Sequence, residues 1–167
     1  RLNGEKVFQR LVLDQGYWED SFMTAPSDDA FTTDIRLAME AGFNGARLHQ
    51  KVFDQRMLFW ADLHGYLTWG EFGDWGVSGL GPLGDNQPAH RLLHRAVDRA
   101  VARDINHPSI IGWCPLNETH QILHDRFTQL DTVTQAMYDA TKARRPLTPR
   151  ARRLRLLPPG AWRRRLR

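Results

Sequence analysis

The stretch GARLHQKVFDQRMLFWADLHGYLTW, residues 45–69, holds a strand, a helix and a second strand. Gly45-Ala46-Arg47-Leu48 is a short run that ends in the polar pair His49-Gln50. From Asp54 to His64, the positions Met57, Trp60, Ala61 and His64 fall on one face at helical spacing. Gly65 then stops the helix, because glycine tolerates the left-handed turn common at helix ends. Residues 66–69, Tyr-Leu-Thr-Trp, follow as a strand. Two strands joined through a helix lie parallel with a right-handed crossover, so the chain belongs to the α/β class.

The alternation continues in both directions. Upstream, residues 11–14 are a strand. Ser27-Asp28-Asp29 supplies a helix start, and Phe31, Ile35, Ala38 and Met39 carry the apolar face up to Gly42. Asn3-Gly4 predicts a tight hairpin turn ahead of the first strand. Downstream, a Gly-rich loop is expected over 70–88, long enough to suggest a functional role. Leu93, Ala96, Val97, Ala100 and Val101 predict a helix over 90–103. Pro108 is expected to open a strand over 109–116, where its missing N–H does no harm. Phe127, Leu130, Thr134, Met137 and Tyr138 predict a fourth helix. The order is βαβαβαβα, and the pattern by itself fits four units of a barrel or an open sheet.

The net charge of +4 is unevenly placed. Up to Lys142 there are thirteen basic and nineteen acidic residues; from Ala143 onward there are ten arginines and no acid. That basic segment also holds Pro146, Pro149, Pro158 and Pro159 and shows no amphipathic period, so it is read as unstructured. An apolar fraction of 41% with six tryptophans fits a chain with a core. No apolar run approaches the roughly 20 residues of a membrane span, so no membrane association is expected. A single cysteine, Cys114, forms no internal disulfide. The chain opens on Arg1, and an upstream segment is expected to be missing.

Each expected strand ends in residues able to do chemistry: Asp14-Gln15-Gly16-Tyr17-Trp18, Arg47-Leu48-His49-Gln50, Trp69-Gly70-Glu71-Phe72 and Leu116-Asn117-Glu118. Strand ends of a parallel barrel converge on one open face. Carboxylates interleaved with aromatics suit a sugar, whose C–H face stacks on rings while its hydroxyls take hydrogen bonds.

The segment Asp104-Ile105-Asn106-His107-Pro108-Ser109-Ile110-Ile111-Gly112-Trp113-Cys114-Pro115-Leu116-Asn117-Glu118 resembles the acid/base signature of glycoside hydrolase family 2. Gly42-Phe43-Asn44-Gly45-Ala46-Arg47-Leu48-His49-Gln50 is similar to the family's second-strand motif. Leu13-Asp14-Gln15-Gly16-Tyr17-Trp18 and Tyr66-Leu67-Thr68-Trp69-Gly70-Glu71 look like its first and third strand ends. The resemblance implies a partial (β/α)8 TIM barrel, its first four βα units, over residues 1–142. Residues 143–167 would be a separate basic tail.

It further implies a retaining β-glycosidase of β-galactosidase type acting on a carbohydrate, with Glu118 as general acid/base. A carboxyl in that role needs a raised pKa, usually from burial. Asn117 would bind the sugar 2-hydroxyl, and Arg47 would orient the nucleophile. His49, Asp14 and Glu71 would line the pocket and bind hydroxyls. A retaining enzyme needs a second carboxylate about 5–5.5 Å from the first. No glutamate follows Glu118 in the 167 residues, so none matches the family nucleophile and these residues alone are expected to be inactive. A frameshift would produce such a tail, and an intact reading frame through this junction would defeat that idea.

Blander readings stand beside these. Glu118 could be a surface glutamate, Arg47 a barrel-end ion-pair residue, and His49, Asp14 and Glu71 scaffold. Trp18, Trp69 and Trp113 read as core, and Trp75 as the best sugar platform. Cys114 reads as a buried inert thiol. His90/His94 and His120/His124 have i, i+4 spacing, but no further ligands complete a zinc site. Gly76-Val77-Ser78-Gly79-Leu80-Gly81 lacks the lysine of a phosphate loop. No metal or cofactor is therefore expected. A carbohydrate-binding protein without chemistry is one rival function. Polyanion binding through the arginine segment is another, although nucleic-acid binding is not expected: the segment has one aromatic, Trp162, and no recognition fold.

Overall fold

Strands β1 (Leu11–Asp14), β2 (Gly45–Leu48), β3 (Leu67–Glu71) and β4 (Ile110–Cys114) pair in sequence order into one parallel sheet. Helices α1 (Asp28–Glu40) and α2 (Gln55–His64) connect the first three strands. Helix α3, helical over 97–104, precedes β4, and α4 (Phe127–Ala143) follows it. The computed structural model describes residues 1–73, 97–117 and 127–143. Glu118, Trp75, both histidine pairs, most of the Gly-rich loop and residues 144–167 lie outside the described residues.

Local chemistry explains the helix ends. Asp54 caps α2 by accepting from the Arg56 N–H, and Gly65 closes it at φ 65. Asp28 and Asp29 place negative charge in the first turn of α1, where the helix dipole favours it. Asn3 and Gly4 both take positive φ, and the Leu2–Glu5 bridge carries a pair of hydrogen bonds, as the Asn-Gly turn predicts.

Register decides which residues face the helices. Val12, Ala46, Thr68 and Ile110 are cross-strand partners, so they share a face. Ala46 and Leu48 join Phe31, Ile35, Met57, Leu58, Ala61 and Tyr66 in a first core beneath α1 and α2. Phe72, Val97, Ala100, Val101, Met137 and Ala140 form a second core beneath α3 and α4. Trp113 stacks on Phe72 there, with ring centroids 5.7 Å apart. The opposite face carries Leu13, Arg47, Trp69 and Gly112.

A bulge in β4 sets what that face offers. Thr68 pairs with Ile110, yet Trp69 pairs with Gly112, so Ile111 is the extra residue. In a regular strand Ile110, Gly112 and Cys114 would share one face. The bulge moves Gly112 and Cys114 to the face of Trp69 and Glu71 and sends Trp113 into the helix-side core. Bulges commonly re-aim a side chain beside a site.

Asp62, near the end of α2, fixes the entry to β4. One of its oxygens bonds His107 Nδ1 at 2.6 Å and the other accepts from the Ser109 N–H at 2.8 Å. Residues 107–109 form a turn, so β4 begins two residues after Pro108 rather than with it. β3 runs on to Glu71, beyond the expected 66–69. On α4, Met137 and Ala140 are buried while Thr134 and Tyr138 are exposed, which narrows the expected apolar face. The helix includes Ala143, where the basic segment was expected to start, a one-residue difference of the kind helix ends show.

Candidate active site

The C-terminal ends of β2, β3 and β4 bring Arg47, His49, Glu71 and Asn117 into one polar cluster. Arg47 Nε donates to Glu71 Oε2 at 2.6 Å, and Arg47 Nη2 donates to Asn117 Oδ1 at 2.6 Å. The Glu71 side chain is wholly buried, whereas that of Arg47 is 32% exposed. The second Glu71 oxygen accepts from the Gln50 N–H at 3.0 Å. Gln50 holds φ 58, a left-handed conformation uncommon for a non-glycine residue. The β2–α2 turn therefore presents a main-chain donor to a carboxylate with no exposed surface. The bond to Glu71 pushes the Arg47 guanidinium further up and keeps it charged.

His49 is buried, with Nε2 3.2 Å from Asn117 Oδ1 and 3.8 Å from Glu71 Oε1. Its Nδ1 meets Gln15 Nε2 at 3.1 Å. Gln15 stands in the strand-end string after β1, but sequence gave no reason to single it out. Its position follows from its neighbour: the Gly16 N–H donates to Asp14 Oδ1 at 2.7 Å, and the Gly16 carbonyl accepts from Lys51 Nζ at 2.5 Å. Gly16 has φ +61, and a Cβ there would lie 2.7 Å from Lys51 Nζ.

Asp14 sits apart from the cluster. Its register partner is Leu48, which is buried on the helix side. It borders a hollow of about 510 Å3 with Tyr17, Asp34 and Tyr66. Burial pushes its carboxyl up, opposed by the Gly16 N–H, and nearby Asp34 adds to the rise. Both Glu71 oxygens are engaged by protein donors. Lys51 also donates to the Met23 carbonyl and lies over the Phe53 ring at 4.7 Å, and burial pushes its amine down. It ties the loop after β1 to the loop after β2. A second hollow of about 390 Å3 is bordered by Trp18, Lys51, Phe53 and Arg103. Neither hollow is bordered by Arg47, Glu71 or Asn117. The polar cluster lies instead on the open face of the sheet.

Cys114 is half-buried at the edge of this cluster, 3.6 Å from Arg47 Nη2, and its thiol donates to the Leu116 carbonyl at 3.2 Å. Burial, then the charge of Glu71, pushes the thiol up, while Arg47 opposes this. Iodoacetamide at pH 8 is expected to alkylate it several-fold more slowly than a free cysteine, the rate rising only at more alkaline pH. Mass spectrometry reads this directly, since the chain has one cysteine. A rate equal to free cysteine would contradict the arrangement. Trp69, expected in the core, is partly exposed on the open face, with Nε1 donating to Gln9 Oε1 at 3.0 Å. Trp18 packs edge-on against Phe31 as a core residue does.

The model of the glycosyl hydrolases family 2 TIM barrel domain matches residues 19–149. A β-galactosidase of Lactococcus lactis subsp. lactis (strain IL1403) is 31% identical over 147 residues, covering 83% of this chain and 14% of that protein. A family 2 β-galacturonidase from Eisenbergiella tayi, solved with galacturonate, superposes with a TM-score of 0.72 at 22% identity, over 84% of this chain and 24% of that one. The apo β-glucuronidase 3 of Bacteroides uniformis gives a TM-score of 0.70 at 21% identity, over 84% of this chain and 18% of that one. The parallel sheet with its alternating helices is thus the first part of a (β/α)8 barrel.

Proposed function

The chain belongs to glycosyl hydrolase family 2, within its TIM barrel domain, and from that premise we propose that it serves the hydrolysis of a β-glycoside with retention of configuration. Glu118 is the general acid/base: it protonates the glycosidic oxygen, then deprotonates the attacking water. The observation that carries this reading is the Arg47–Glu71–Asn117 cluster at the strand ends, whose Asn117 immediately precedes Glu118 in sequence.

Asn117 and Arg47 form the sugar-facing set, and His49, buried with its ring nitrogens on Gln15 and Asn117, holds the Asn117 amide behind them. The Asn117 oxygen accepts from Arg47 and His49, which fixes the rotation of the amide at the strand ends. Arg47 supplies a fixed cation to orient an anionic nucleophile. Glu71 acts through Arg47 as its anchor, and Asp14 shapes the turn that presents Gln15. The chain spans 14% of the length of the β-galactosidase it matches, and no glutamate follows Glu118 within its 167 residues. The family nucleophile is unassigned, and the 167 residues alone are expected to turn over no nitrophenyl β-glycoside.

The test is calorimetric, with a neutral monosaccharide and a basic iminosugar whose ammonium mimics the charge of the transition state. Both are expected to bind the full chain. Glu118→Gln is expected to weaken the iminosugar at least tenfold and leave the neutral sugar unchanged. Equal effects on both ligands, or no binding of either, would overturn the assignment. Turnover abolished by Glu118→Gln would overturn the expected inactivity.

A further inference from the structure

We propose that Gln15 is a positioning residue that fixes the tautomer of His49, so that the imidazole presents Nε2–H to the Asn117 oxygen. A guanidinium has donors and no acceptor, so the Asn117 atom 2.6 Å from Arg47 Nη2 is the oxygen. That oxygen only accepts. The His49 nitrogen 3.2 Å from it, Nε2, must therefore carry a proton. Glu71 Oε1 lies 3.8 Å from the same nitrogen, beyond hydrogen-bond reach, so the acceptor is the Asn117 oxygen.

A neutral imidazole with its proton on Nε2 has a lone pair on Nδ1. Gln15 meets that lone pair with its amide nitrogen at 3.1 Å. An amide N–H donated to Nδ1 favours the neutral Nε2–H form, whereas a carboxylate there would draw a proton onto Nδ1. Gln15 is held in place rather than merely nearby. The next residue, Gly16, is gripped at its N–H by Asp14 and at its carbonyl by Lys51.

Gln15 thus donates to His49 and His49 to the Asn117 oxygen, into which Arg47 donates from the other side. Two donors on one oxygen set the rotation of the Asn117 amide. The consequence for a sugar rests on the glycosidase reading above; the tautomer itself does not.

His107 supplies an internal reference. Its Nδ1 faces Asp62 Oδ2 at 2.6 Å, so it carries the opposite assignment, Nδ1–H. The experiment is a two-bond proton–nitrogen correlation spectrum of the full chain labelled with nitrogen-15 histidine. His49 and His107 are identified by loss of signal in His49→Gln and His107→Gln. In the parent, His49 is expected to show the Nε2–H pattern and His107 the Nδ1–H pattern. Gln15→Glu, which offers only acceptors, is expected to place a proton on His49 Nδ1 at a pH where the parent is neutral, with His107 unchanged. Gln15→Met, which leaves Nδ1 without a donor while the Asn117 oxygen still accepts at Nε2, is expected to reduce the Nε2–H population of His49 without abolishing it.

An Nδ1–H or averaged pattern for His49 in the parent would overturn the proposal, and that reading needs no variant to fold. So would a His49 pattern unaltered by Gln15→Glu while the His107 signal is retained. A correct tautomer in a chain that binds no sugar would leave this inference standing and remove the proposed function.

Discussion

Replacing Arg47 with methionine is expected to destabilise the domain by about 3 kcal/mol, with most of the loss recovered by adding Glu71→Gln. Glu71 has no exposed side-chain surface, and Arg47 and the Gln50 N–H are among its partners. Removing Arg47 leaves a buried carboxylate without its guanidinium partner. Breaking a buried pair in this way costs roughly 3–5 kcal/mol, and the partial exposure of Arg47 places this case at the low end. Methionine keeps an unbranched apolar stem, so lost packing is a small part of the effect. In the double variant no buried charge remains, and glutamine still accepts from Gln50. Urea unfolding followed by tryptophan fluorescence measures both. A double variant as unstable as Arg47→Met alone would show that packing, not charge, is what Arg47 contributes.

Gly45→Ala is expected to have an effect of similar size for a different reason. An added Cβ would lie 2.1 Å from the main-chain oxygen of Leu67 on the neighbouring strand. That atom cannot move without shifting β3 against β2. Gly112 is the informative control: its added Cβ would lie 3.2 Å from the Trp69 ring, which can tilt. Over-packing generally costs about 1–3 kcal/mol, occasionally more, depending on what can yield. Gly45→Ala is placed at or beyond the top of that range and Gly112→Ala near or below its bottom. The same urea titrations decide it, and a reversed order would mean that the β2–β3 spacing is more forgiving than the register indicates.

The elements were legible because their signals are local. Phe31 and Ile35 at helical spacing, the Asp54 cap and the Gly65 stop each act within a few residues, and each stands where the pattern put it. The site was legible as a set of strand ends but not as a network. Arg47, Glu71 and Asn117 meet across 24 and 70 residues, and which oxygen goes to which donor depends on register. The bulge at Ile111 cannot be read from composition, yet it alone puts Cys114 beside Arg47. Asp14 shows the same gap: its place at a strand end was plain, but its face follows from pairing with Leu48. Gln15 went unremarked because a glutamine beside a strand end is ordinary until a histidine nitrogen lies within reach.

A crystal structure of the chain with a basic iminosugar addresses the central claim most directly. The sugar ring is expected over the ends of β2 and β4, within reach of Arg47 and Asn117, with the Glu118 carboxyl turned toward its anomeric substituent. A Glu118 side chain on the helix side of the sheet, with the strand ends bare of sugar, would contradict the account.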